Sequence, residues 1–114
     1  MKQSSIIGKV TIFAALLFAG NFSHAAGWTP ALTVTEAFTE NSDLIVIYTS
    51  DGGGYTSGCA ATSWIFVADN DARRGRAYAT VLAAIATGKK LQFWYADSCA
   101  VWGFHQATSV KLVN

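Results

Sequence analysis

The chain has 114 residues, of which 52% are hydrophobic and only 13% charged, with a formal net charge of +1. So short a chain has room for one core, and this charge balance lacks the cationic surplus of a nucleic-acid-binding domain. No repeat, linker or low-complexity tract divides it.

The N-terminus reads as an export signal. Lys2 and Lys9 flank a short leading segment, and residues 10–20 (VTIFAALLFAG) form an apolar run too short for a comfortable membrane span. Ser23 and Ala25 are small residues at the positions a signal peptidase reads. Cleavage after Ala25 is therefore expected, leaving one domain over residues 26–114, secreted or periplasmic, with no membrane span after processing. In that remainder six basic side chains (Arg73, Arg74, Arg76, Lys89, Lys90 and Lys111) face seven acidic ones, a net charge of −1. Cys59 and Cys99 are the only cysteines. An exported chain with an even cysteine count predicts a disulfide. Two distant cysteines with one remaining histidine make a poor zinc site, and no Cys-x-x-Cys exists for redox work.

In chain order, residues 31–38 (ALTVTEAF) predict a first strand, with a slip in alternation near Glu36 and Ala37 that suggests a bulge. A turn follows at residues 40–43. Residues 44–49 (LIVIYT) and 63–68 (SWIFVA) are apolar on both faces, as in strands covered on both sides. Between them Gly52, Gly53 and Gly54 break the chain. Asp69, Asn70 and Asp71 offer capping oxygens for a helix over residues 72–87, and Gly88 is placed to end it in a left-handed conformation. Tyr78, Val81, Leu82 and Ile85 form its apolar stripe. A fourth strand at residues 90–96, a loop at 99–106 and a fifth strand at 107–113 complete the chain. The order β-β-β-α-β-β predicts a mainly β (α+β) fold, a five-stranded OB-fold barrel whose end is plugged by Tyr78, Leu82 and Ile85.

The side of the helix bearing Thr80, Ala83, Ala84 and Thr87 is small rather than charged, which points to an oligomer interface. Arg73, Arg74 and Arg76 oppose the helix macrodipole, which suits either an anion contact or a solvated turn beside Asp69 and Asp71. No catalytic constellation can be assembled. His105 has no partner motif and reads as a loop residue beside Trp102 and Phe104; the carboxylates are scattered, and the three glycines lack the Lys-Ser/Thr of a phosphate loop. A non-enzymatic protein without a cofactor or metal is the reading. The aromatics are the stronger lead. Along the fourth strand Phe93 and Tyr95 share one face with Leu91, which leaves Trp94 on the other. Trp28, Tyr55 and Trp102 fall in loops or near the N-terminus, where exposed aromatic rings suit sugar stacking or a protein interface. Loop polar groups such as Asp51 and Ser57 are the expected hydrogen-bond partners for a bound glycan.

Ala86-Thr87-Gly88-Lys89 followed by Phe93-Trp94-Tyr95 and Val101-Trp102, with Gly27-Trp28-Thr29 and Ser63-Trp64 upstream, resembles the binding (B) subunits of subtilase-cytotoxin-type AB5 toxins and related small exported one-disulfide bacterial proteins. The resemblance implies an OB-fold assembled as a homopentameric ring, helices lining its centre, loops binding cell-surface glycans, and an A-type toxin subunit as partner. The competing expectation is a monomeric periplasmic protein that binds or inhibits another protein through the same aromatic loops.

Overall fold

The structure is a computed structural model that describes residues 26–40 and 43–114. The export segment expected at residues 1–25, and Asn41 and Ser42 of the predicted turn, lie outside the described residues. The elements are β1 (Gly27–Trp28), β2 (Val34–Thr39), β3 (Ile45–Thr49), β4 (Ala60–Phe66), α1 (Asp71–Thr87), β5 (Lys90–Cys99) and β6 (Phe104–Val113), with a 3-10 turn at Val101–Gly103. Among the described residues the fold is mainly β with one helix, and the predicted element order recurs behind one additional short strand.

The strands form a six-stranded mixed sheet in the order β1-β5-β6-β4-β3-β2. It is open and does not close into the predicted five-stranded OB-fold barrel. Only β4 and β6 run parallel; every other pair is antiparallel. The first edge of the sheet is interrupted at Pro30, which has no N–H to give to a ladder. Trp28 pairs with Trp94 of β5, and Thr29 still donates its N–H to the Phe93 carbonyl at 2.9 Å. Beyond the proline only Leu32 keeps a bridge to β5, exchanging bonds of 2.7 and 2.9 Å with Leu91. A register shift between Val34 and Glu36, at the predicted bulge, then carries the chain along β3. The strand predicted at residues 31–38 thus begins late, as β2, after the lone bridge at Leu32, while the unpredicted β1 forms at the opposite edge of the sheet.

The inner face holds Ile45, Ile47, Trp64, Phe66, Leu91, Phe93 and Ala107, joined by Leu32 and Val34. Trp64 lies between two rings, stacked on Phe93 at 4.6 Å and on His105 at 4.7 Å. Helix α1 covers this face. Asn70 caps it by accepting the Arg73 N–H at 2.8 Å, and Gly88 ends it at φ 72°, both as predicted.

Which side of α1 is buried differs from the prediction. Ala77, Val81 and Ala84 face the sheet, whereas Leu82 and Ile85, expected to plug a barrel, are 43% and 40% exposed. Tyr78 is half-buried. The helix is turned by one residue, about 100°, from the predicted stripe. Rings already fill the inner face of the sheet, so the helix approaches closely only through small side chains. Ala84 therefore belongs to the chain's own core and is no free interface residue. Thr80 and Ala83 are half-buried and Thr87 is exposed. No helix among the described residues is long and apolar enough to cross a membrane.

Candidate functional site

Two aromatic surfaces emerge on the face of the sheet opposite the helix. The first is built at the β1–β5 edge. Strand alternation sends Leu91 and Phe93 inward and Trp94 outward, and the register sets Trp28 directly opposite Trp94. The two indoles meet edge to face, centroids 5.5 Å apart and planes at 80°. Lys111 of β6 holds its ammonium 4.4 Å from the Trp28 ring centroid, a cation–π contact. Gln92 ties the two strands by donating from Nε2 to the Thr29 carbonyl at 2.8 Å. The result is a surface patch of two large rings, still 42% and 37% exposed, beside a cation and an amide. Such rings can stack on an apolar sugar face while the polar groups take its hydroxyls.

The second surface is a row that crosses the strands. Phe38 lies 6.1 Å from Tyr48, Tyr48 lies 6.1 Å from Phe104, and Phe104 lies 5.7 Å from Trp102. Beside this row Val46 and Ile65, on the same face of the sheet, are fully buried. Trp102 ends the row at the tip of the 3-10 turn, 57% exposed and held at φ 64°. A positive φ costs a bulky residue about 1–2 kcal/mol, so the turn presents this ring at an energetic cost. Trp102 and Phe104 are neighbours in the sequence and were legible together, whereas Phe38 and Tyr48 carry no local sign of joining them. Residues 44–49 are apolar on both faces and Phe104 lies in the predicted loop, so local alternation does not single these rings out. The strand pairing lines them up.

The remaining predicted residues lie elsewhere. Tyr55 is half-buried under the sheet, stacked on Tyr95 at 5.4 Å and near Trp64 and His105. Burial, then the Asp51 carboxylate and Tyr95, push its hydroxyl above the usual tyrosine pKa. Asp51 accepts the Thr33 N–H at 2.9 Å, a loop-closing bond. Ser57 is exposed and shares a cleft of about 220 Å³ with Tyr55, Thr56 and Asp97. The structure thus brings Trp28 and Trp94 together, leaves Trp102 at a separate tip, and turns Tyr55 and Asp51 to structural work.

His105 corrects a further expectation. It is a fully buried residue of β6 and not an exposed loop residue. One ring nitrogen, Nδ1, faces the Ala60 carbonyl, and Nε2 accepts the Thr56 N–H at 3.3 Å. This pairing requires the neutral tautomer with the proton on Nδ1. Burial lowers its pKa, opposed by the Ala60 bond, and neither nitrogen is left for a substrate. Cys59 and Cys99 form the predicted disulfide, joining the start of β4 to the end of β5. Among the described residues no three His, Cys, Asp or Glu side chains gather to hold a metal ion. No protein-family model matches the chain, and no curated protein matches it in sequence.

Proposed function

We propose that this chain is an exported, non-enzymatic binding protein of the AB5 B-subunit type, secreted or periplasmic, that recognises cell-surface glycans as a homopentameric ring and serves an A-type toxin subunit. The underlying plan is an OB-type, partly open barrel. Supporting that plan, the strands β2-β3-β4-β6-β5 neighbour one another in turn, and the segment before β2 bridges back to β5 at Leu32 and Leu91. In the ring, neighbouring helices meet through the outward side of α1, where Leu82 and Ile85 add apolar area beside Ala83 and Thr87.

The observation that carries glycan recognition is the exposed Trp28–Trp94 pair with Lys111 beside it. Screening the purified protein on a glycan array, alongside Trp28→Ala and Trp94→Ala, tests it. Each substitution is expected to weaken binding about fivefold, since one stacked ring is worth on the order of 1 kcal/mol, while circular dichroism stays unchanged. No array binding by a protein that native mass spectrometry shows as an intact ring would sink the sugar reading.

A second reading is favoured by the Phe38–Tyr48–Phe104–Trp102 row and the exposed Val101 beside it. An apolar row ending in a protruding tryptophan suits a protein partner as well as a sugar. A monomer in native mass spectrometry would favour this alternative of a periplasmic protein that binds or inhibits another protein.

A further inference from the structure

The cleft between α1 and β6 is a separate feature from the tryptophan pair, and its chemistry points to a different ligand. It measures about 220 Å³ and is lined by Arg73, Arg76, Thr80 and Ser109 over a floor that includes Phe66 and Val110. No carboxylate lines it.

Its best-fixed wall is Arg73. The β5–β6 register slips where Trp94 pairs with Ser109 but Tyr95 pairs with Ala107, which leaves Thr108 without a partner. The Arg73 guanidinium fills that gap, donating from Nη2 to the Thr108 carbonyl and to Ser109 Oγ, the latter at 3.3 Å. Its central carbon also lies 5.5 Å from the Phe66 ring centroid. The side chain is therefore held in place while most of its five N–H groups stay free. Its one ion-pair partner among the described residues, Asp69, is 3.9 Å away and 83% exposed, too distant and too solvated to neutralise it.

Arg76 stands one helical turn further on. Among the described residues it makes no ion pair, whereas Arg74, on another side of the helix, is bonded to Asp71. Two like charges one turn apart repel each other, and Arg73, in the first turn, also opposes the helix dipole. Ser109 accepts from Arg73 and keeps its own hydroxyl proton to donate. Thr80 adds no donor, because its hydroxyl is spent on the Arg76 carbonyl at 3.0 Å.

We infer that this cleft binds a tetrahedral oxyanion, a sulfate or phosphate group, between Arg73, Arg76 and the Ser109 hydroxyl. Donors from a helix on one side and a strand on the other match an anion with oxygens on several faces. A planar carboxylate would be satisfied by one guanidinium fork alone. The volume is below the roughly 300 Å³ at which drug-sized sites begin, so the cleft holds the anionic group and not the body of a larger ligand. The group arrives as the free ion or as a substituent on a saccharide.

The test is a titration of the intact protein with inorganic sulfate and phosphate at constant ionic strength, followed by NMR at the Arg73 and Arg76 side chains and the Ser109 amide. Saturable shifts in the millimolar range are expected with sulfate and phosphate and not with chloride or acetate. Arg76→Gln should weaken binding about tenfold, the loss of one charge-assisted contact, and Arg74→Gln should leave it unchanged. A sulfated monosaccharide that binds more tightly than inorganic sulfate, while its unsulfated parent does not bind, assigns the group to a saccharide. Equal affinity for the two sulfates assigns it to the free ion. Shifts that match those of chloride, or an equal loss in Arg74→Gln and Arg76→Gln, would overturn the site. None of these results depends on the tryptophan pair.

Discussion

Replacing both Cys59 and Cys99 with serine should cost this domain a large share of its stability. The bridge joins residues separated by 40 positions and encloses the end of the glycine-rich loop, β4, α1 and most of β5. In the chain-entropy treatment a closed loop of this length restricts the unfolded state by about 4 kcal/mol. A small domain holds only about 5–15 kcal/mol in total, so the variant should fold in the cold and melt early. At about 4–8 °C per kcal/mol for a domain of this size, the melting temperature should drop by about 15–30 °C. Circular dichroism melts of the double serine variant, and of the unaltered protein with and without a phosphine reductant, measure this directly. The effect should also be local. Cys99 lies opposite His105 in the β5–β6 ladder, and His105 accepts the Thr56 N–H, so that amide should exchange faster once the bridge is cut. A shift under about 5 °C in both experiments, far below the entropic figure, would refute the reasoning and mean that the loop is already constrained without the bond.

The two sides of α1 should separate cleanly. Ala84→Glu places a carboxylate in a fully packed site and should destabilise the monomer by about 3 kcal/mol or more, whereas Leu82→Glu should change it by less than about 1 kcal/mol and should disrupt any ring that native mass spectrometry detects. Equal losses in urea unfolding would place the wrong side of the helix against the sheet. Acid should weaken the fold through His105. Its native pKa lies below the ordinary value of 6.5 because burial disfavours the charged ring, so the unfolded chain takes up the proton first. The contribution is whole above pH 6.5 and is lost as pH falls through the window below it. Urea midpoints measured down to about pH 5, within the range where histidine titrates, should fall for the native chain and fall less for His105→Gln; parallel profiles would remove His105 from the explanation.

Local patterns carried much of the fold because they are written within a few residues of one another. Asn70 and Gly88 mark the helix ends through side-chain capping and a left-handed backbone, both short-range effects. The register shift after Val34 follows from the same local logic. The outward direction of Trp94 was legible from strand alternation alone. Its meeting with Trp28 was not, since that depends on a pairing across 66 positions in the ladder. The row from Phe38 to Trp102 was hidden for the same reason, because it draws one ring from each of three strands and one from a turn.

By itself, then, the chain determined its element order, its helix boundaries and its disulfide, all of which follow from residue type and near-neighbour spacing. The tertiary structure decided whether the sheet closes, which side of α1 is buried, and which aromatics stand together. Periodicity offered Val81, Leu82 and Ile85 to the core, but beneath the stacked Trp64, Phe93 and His105 only Val81 of these is buried, flanked by Ala77 and Ala84. Volume already occupied across the interface, which no local pattern encodes, chose the face.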